Sequence, residues 1–390
     1  MNGPRTETVT TTHCPYCALN CGIGVTTDGE VITGQVRWKG SPLTGGAVCS
    51  KGSTAWEQVQ HGDRLRMPLV RRDGELVEVG WEEALDLAAA GFLRIRDEFG
   101  PDANAVLSGG SLTNEKAYLM GKFARLALRT RHIDYNGRFC MVSAGSANMK
   151  AFGMDRAMTP LDELIDAEVI VVVGANLSDA YPVMLPTTIN KARQRGARVV
   201  AIDPRFGRWV QDDDMKIAIR PGTDGALFLG LLAEIERQGL IDVDFVNGRT
   251  VGFHDAIVAA RPWRPDVVEA ATDVPAATVR ELARLIGSAD RCMILHARGP
   301  EQQTMGTDNV LAMINVALAC GHIGKPSCGI NMLTGQRNGQ GGREWGQRCN
   351  QLPAGRSIAD AGHRAVVAER WGVEADDLPG VGATYVEILQ

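Results

Sequence analysis

Between Leu161 and Gly329, short unbroken apolar runs alternate with longer stretches whose apolar residues recur every three or four positions. Ala167–Val173, Ala197–Ile202, Met215–Ile219 and Arg291–Leu295 read as strands separated by helical segments. Val169-Ile170-Val171-Val172-Val173 is apolar on both faces, the pattern of a central strand covered by helices on either side. The fold class expected is α/β with a doubly wound parallel sheet. Upstream, Glu75–Val79 reads as a strand. A helix then begins near Glu82, with Leu85, Ala88, Phe92, Ile95 and Phe99 on one face and Gly100-Pro101 as its stop. A strand at Asn104–Leu107, a helix from about Asn114 to Arg129 and a strand near His132–Tyr135 lead into Asn136-Gly137-Arg138-Phe139-Cys140. From about Ile330 a Gly-rich loop precedes helical pieces between Ala361 and Gln390, and the final Ala383–Gln390 reads as a pattern cut short.

Residues 8–56 are different: rich in Gly, Thr and Cys without helical period, as in a small domain that a metal group holds together in place of a core. Cys14, Cys17 and Cys21 are followed by a distant Cys49. Three thiolates within eight residues can take three corners of an iron–sulfur cluster while a fourth closes it. Structural zinc, which usually joins two cysteine doublets, is the rival reading, and disulfides come third.

Composition narrows the setting. At 390 residues and 44% hydrophobic, the chain can bury two or three cores. With 41 basic and 46 acidic residues the net charge is −5, which gives no general attraction to nucleic acid or anionic membrane. No uninterrupted apolar run reaches the roughly 18 residues that a membrane span needs. Met1–Thr12 is polar, without a secretory apolar run, and Arg71-Arg72 lies too deep for a twin-arginine signal. A cytoplasmic location is therefore expected, where nine cysteines favour metal ligation or catalysis over cross-linking.

Several residues could carry chemistry. Lys51, two positions after Cys49, is either a surface lysine or a cation that tunes an adjacent thiolate-ligated cluster. Gly174-Ala175-Asn176, Asp203-Pro204-Arg205 and Arg220-Pro221-Gly222-Thr223-Asp224 each follow a strand, at the edge where an open doubly wound sheet docks nucleotides. Turns collect such residues for local reasons too. No G-x-G-x-x-G follows a strand, and Gly324-Lys325 lacks the rest of a phosphate-binding loop, so simple NAD or ATP binding is weakly supported. Thr334–Glu344 combines glycines, which admit a flat ligand close to the backbone, with Gln, Asn and Arg donors; a mobile surface turn is the alternative. Spacing leaves Cys140 open between ligand and buried small hydrophobe. Cys292, Cys320, Cys328 and Cys349 lack a compact triplet and read as buried thiols.

Taken together, Cys14-x2-Cys17-x3-Cys21 with Cys49-x-Lys51, Asn136-x-Arg138-x-Cys140-Met141, and Thr334-Gly335-Gln336 to Gly342-Arg343-Glu344 resemble one family. The chain is similar, over nearly its whole length, to the N-terminal part of bacterial molybdopterin oxidoreductases of the dimethyl-sulfoxide-reductase superfamily, most of all the assimilatory nitrate reductases. The resemblance implies a 4Fe–4S cluster on Cys14, Cys17, Cys21 and Cys49, with Lys51 bridging cluster and pterin. It implies molybdenum on Cys140, held by two molybdopterin guanine dinucleotides, with Met141 and Arg343 approaching the substrate face. Asn136, Gly174, Asn176, Asp203, Arg205, Gly222, Asp224, Gly335, Gln336 and Gly342 become candidates for the cofactor-binding surface. The implied organisation is an iron–sulfur domain at 1–62, a discontinuous α/β domain at 63–150 and 340–390, and a Rossmann-like pterin-guanine-dinucleotide domain at 151–339. Members of the family are longer, and a C-terminal β-barrel domain is expected to be missing here. The implied reaction is nitrate reduction to nitrite, with ferredoxin, flavodoxin or an NAD(P)H-dependent flavoprotein as electron donor. Formate dehydrogenases, in which a His commonly follows the metal-binding residue, are the alternative; Met141 is a poor acid or base. A non-catalytic electron relay is the third reading.

Overall fold

The computed structural model describes residues 7–390; the start of the polar N-terminal stretch, Met1–Thr6, lies outside the described residues. The cysteine-rich segment is built on a three-stranded antiparallel sheet of β1 (Thr8–His13), β2 (Gly22–Asp28) and β3 (Val31–Arg37) in sequential order. The sequence pattern did not mark these strands. Their Thr and Val residues are β-branched, but only β2 is largely buried, so no apolar alternation stands out. The triplet loop is the connection between β1 and β2, closed by the Cys14 N–H donating to the Cys21 carbonyl at 2.8 Å.

A hairpin of β4 (Leu69–Arg72) and β5 (Glu75–Glu78) precedes the helix Trp81–Phe99. That helix forms as its spacing predicts, yet none of its residues is buried: Leu85 is 61% and Phe99 63% exposed. Next, β6 (Val106–Ser108) pairs in parallel with β7 (Ile133–Tyr135), the two joined through the helix Asn114–Lys122 and a widened turn at Phe123–Ala127.

The large sheet contains β8 (Val169–Val173), β9 (Arg198–Ile202), β10 (Met215–Ile217), β11 (Cys292–His296) and β12 (Gly329–Met332). Their spatial order is β10-β9-β8-β11-β12 and every pairing is parallel, so the winding direction reverses between β8 and β11. This is the doubly wound sheet the apolar runs predict, with one further strand, β12, where the sequence suggested the beginning of a loop. Alternate β8 residues serve opposite layers. Val171 and Val173 pack with Leu227 and Leu231 of helix Asp224–Arg237 and with Val310 of helix Gly306–Ala319. Ile170 and Val172 share the other core with Leu177, Met184 and, from the cysteine-rich segment, Cys14, Leu19 and Cys21. The cysteine loop is thereby seated on the sheet.

The expected boundary at residue 150 falls inside helix Val142–Phe152, whose Ala144 and Ala147 belong to the core of the large sheet. A small third core joins Leu352, Ile358, Val367 and Trp371 to Tyr118 and Leu126. Arg125 secures it. Fully buried, it donates to the carbonyls of Gly346 (2.7 Å), Arg348 (2.9 Å) and Gln351 (2.9 Å), and burial draws its guanidinium down to about 10. Arg125→Met, which strands those carbonyls, is expected to cost about 3 kcal/mol of stability, read as a lower urea midpoint. An unchanged midpoint would show that water or another donor replaces the guanidinium.

Candidate active site

Four free thiols come together where the cysteine loop meets the segment after β12. The Ala18 N–H donates to the Gly335 carbonyl at 3.2 Å, Cys17 forms an antiparallel bridge with Gln336, and Asn20 exchanges hydrogen bonds with Arg337 (3.1 and 3.2 Å). The fourth cysteine starts the short helix Ser50–Ser53. Gly52 in that helix faces the thiols: a Cβ there would lie 3.4 Å from Cys14 Sγ and 3.8 Å from Cys49 Sγ. Burial pushes the Cys21 thiol up to about 12, and the neighbouring Cys17, Cys14 and Cys49 add to it. Burial likewise raises Cys14 and Cys17. Four thiolates crowded here need cations among them. Among the described residues no three His, Cys, Asp or Glu side chains converge as one metal ion would require. An all-cysteine donor set is the kind an iron–sulfur cluster takes.

Lys51 is exposed on the same short helix. Its ammonium lies 4.4 Å from the centroid of the Tyr16 ring, and its charge acts downward on the Cys17 thiol.

Cys140 ends the helical turn Gly137–Cys140 and is half-buried. Its sulfur accepts a hydrogen bond from Arg298 Nη1 at 3.1 Å. Tyr181 is near both sulfur sites. Burial pushes its phenol up to about 12, and Cys140 and Cys17 both act on it electrostatically. Its hydroxyl donates to the Leu333 carbonyl at 2.9 Å.

The Asn136 amide donates to Gln336 Oε1 at 2.9 Å and accepts from the Gly110 N–H at 2.9 Å, joining the β6 and β7 loops to the Gly-rich segment. Gly335 faces open space, whereas a Cβ on Gly342 would meet the Tyr135 ring at 2.7 Å. Met141 is buried against Gly339. Arg343 is also buried, and its Nη1 pairs with Asp155 at 2.5 Å. Met141, Arg343, Asp155 and Tyr135 line one cavity of about 10 Å³, room for a single water. The resemblance places Arg343 toward the substrate face; it carries a counter-ion that the sequence did not reveal.

The strand-end residues form a second group. Gly174, with φ +56°, lies against the β11 loop, where a Cβ would fall 2.7 Å from Gly299 Cα, so only glycine lets the two strand ends meet. Asp203 and Asp224 are near enough to interact electrostatically. Burial pushes both carboxyls up, and the charge of Asp203 adds to the shift at Asp224. Gly222 has φ +85° in the turn before helix Asp224–Arg237. Asn176 is engaged locally, donating to Asp179 (2.8 Å) and accepting from Ser178 (2.7 Å), and Arg205 is exposed with its backbone N–H on Asp203.

Sequence reasoning missed Arg298 and its neighbours. Ala297-Arg298-Gly299-Pro300-Glu301 follows β11, making it a further loop on the same strand-end edge, and that position was the available signal. The four other cysteines, Cys292, Cys320, Cys328 and Cys349, are buried.

Buried polar atoms without a partner among the described residues include, in this region, both donors and acceptors: Arg298 Nε and Glu301 Oε2 behind Cys140, and Arg343 Nε and Nη2, Asp155 Oδ1, Gln347 Nε2 and Gln347 Oε1. A polar ligand with donors as well as acceptors fits such a set.

Comparison with known proteins decides the family. The profile described as molybdopterin oxidoreductase matches residues 64–371, and that of the molybdopterin oxidoreductase Fe4S4 domain matches residues 7–61. This chain belongs to the molybdopterin oxidoreductase family. It is 38% identical over 389 residues to the assimilatory nitrate reductase catalytic subunit of Bacillus subtilis, a match spanning 99% of this chain and 55% of the relative. It is 31% identical over 371 residues to formate dehydrogenase H of Escherichia coli, covering 93% of this chain and 52% of that one. The chain thus spans about half the length of these curated relatives. In fold it is similar to acetylene hydratase from Pelobacter acetylenicus, with a TM-score of 0.68 over 80% of this chain and 43% of the other, at 21% identity. This molybdopterin oxidoreductase therefore carries a 4Fe–4S domain followed by the α/β fold of a molybdenum–pterin enzyme. Among the described residues, no helix is long and apolar enough to cross a membrane.

Proposed function

We propose that this oxidoreductase is the catalytic part of an assimilatory nitrate reductase, converting nitrate to nitrite in the cytoplasm. The observation that carries the reading is the 38% identity to such an enzyme across 99% of the chain. Met141 supports it: a buried thioether next to Cys140 offers no proton acceptor for formate oxidation. When bound, the molybdenum of a bis(molybdopterin guanine dinucleotide) supplies oxygen-atom transfer from nitrate and takes two electrons per cycle.

The chain's own residues have separate tasks in this proposal. Cys14, Cys17, Cys21 and Cys49 hold the cluster, and Cys140 is the protein thiolate on molybdenum. Asp203 and Asp224 accept from the ring N–H and amino donors of guanine, while Gly335, Gln336 and Asn136 present backbone and amide groups to the pterin. Arg343 retains two unpartnered N–H donors beside its Asp155 ion pair; the cavity it lines has room for a single water, so orienting an anion by these donors requires that cavity to open. Ferredoxin, flavodoxin or an NAD(P)H-dependent flavoprotein delivers electrons to the cluster.

Nitrate-dependent oxidation of a reduced viologen dye by the cofactor-loaded enzyme tests the reaction, and release of guanine nucleotide on acid treatment tests the cofactor form. Lys51→Met is expected to leave iron and molybdenum near normal and slow electron delivery several-fold, because the ammonium beside Cys17 is lost while most of the volume stays. Stopped-flow reoxidation of the cluster by nitrate checks it. Unchanged rates would return Lys51 to an ordinary surface lysine.

A further inference from the structure

We propose that Arg298, held by a buried Glu301–His296 pair, is the positioning residue that sets how strongly the Cys140 sulfur donates to the metal. The proposal rests on the assignment of Cys140 as a molybdenum ligand. Arg298 reaches Cys140 from the loop after β11, across 158 positions of sequence, and places Nη1 3.1 Å from the sulfur. Its other terminal nitrogen, Nη2, donates to Glu301 Oε1 at 2.6 Å and to the Leu333 carbonyl at 3.3 Å. The same Glu301 oxygen lies 2.9 Å from His296 Nδ1. Glu301 is 2% and His296 1% exposed, so the carboxylate is fixed from two sides within the end of the large sheet.

This geometry differs from that of Arg343, which is buried where Arg298 is only partly so. Arg343 gives its hydrogen bond to Asp155. Arg298 aims one N–H at the sulfur while a carboxylate anchors the opposite nitrogen, the arrangement by which a neighbouring group fixes and tunes a ligand. A cationic donor on a thiolate withdraws electron density from it, weakens its donation and favours the reduced metal. Glu301 opposes that pull by compensating the charge. The two side chains should therefore shift the metal's reduction potential in opposite directions.

The test is a redox titration of the cofactor-loaded enzyme, followed by its Mo(V) paramagnetic signal, with the iron–sulfur cluster as an internal reference. Arg298→Met is expected to shift the molybdenum couple to lower potential and alter the Mo(V) signal with the cluster couple unmoved. Arg298→Lys should recover part of that shift, and Glu301→Gln should move the couple upward. An Arg298→Met couple and signal matching the parent would overturn the proposal, as would shifts of the same sign in Arg298→Met and Glu301→Gln. Should Arg298→Met fail to retain molybdenum, Glu301→Gln decides alone: an upward shift supports the proposal and an unmoved or lowered couple refutes it. Failure of the underlying assignment looks different, since Cys140→Ala would then leave the parent Mo(V) signal intact. Activity on formate instead of nitrate would refute the proposed reaction while leaving the Arg298 shifts in place.

Discussion

Cys140→Ala is expected to abolish nitrate turnover, by more than about a hundredfold, while leaving the iron content unchanged. Outer groups around a metal are commonly worth ten- to a hundredfold, and a direct thiolate ligand is worth more. The ordinary alternative is a small packing cysteine. Removing one sulfur from such a place costs about 1 kcal/mol, which even if expressed wholly in the rate is a factor of about five. Cys140 is only half-buried and has a guanidinium N–H on its sulfur, so packing alone gives it little to lose. The cluster thiols belong to a separate loop, held on Gly335 and Gln336 by backbone contacts that do not involve Cys140, and should keep their iron. Turnover within a few-fold of the parent, with molybdenum–sulfur ligation unaltered by X-ray absorption, would remove Cys140 from the active site.

Cys17→Ser is expected to lose most of the roughly four irons per chain and, with them, the order of the loop between β1 and β2. The loss should propagate. Cys17 bridges to Gln336, and Ala18 bonds to Gly335, so an unfolded cysteine loop withdraws the support of the Gly-rich segment next to Asn136. Molybdenum content should therefore fall alongside iron, whereas in Cys140→Ala iron survives. Iron analysis after anaerobic preparation and protease sensitivity near residues 14–21 check the prediction. Stoichiometric zinc without iron in the parent protein would refute the cluster assignment outright.

What could be read from the sequence was local. The Cys14–Cys21 triplet is a spacing within one loop, and the five-valine-and-isoleucine run of β8 is a composition within one strand, so both were visible without the fold. Glycines and carboxylates after β8, β9 and β10 were also legible, because a parallel sheet brings all its carboxyl ends to one edge. The contacts that shape the site were not. Arg298 meets Cys140 across 158 positions and Arg343 meets Asp155 across 188, and no periodicity encodes such pairings. The β1–β3 sheet was missed for another reason: its outer strands β1 and β3 are not buried, β1 is mainly Thr and β2 intersperses Gly and Thr with its Ile and Val, which removes the apolar signal. The helix Trp81–Phe99 shows the converse, since its apolar face was read correctly from spacing while its exposure could not be.

The most direct measurement is a comparison of nitrate and formate as substrates of the cofactor-loaded enzyme, using reduced viologen for nitrate reduction and oxidised viologen for formate oxidation. The proposed function predicts rapid nitrate-dependent dye oxidation with nitrite formed one for one, and no formate-dependent dye reduction above background. Formate oxidation in an enzyme that leaves nitrate untouched would contradict it.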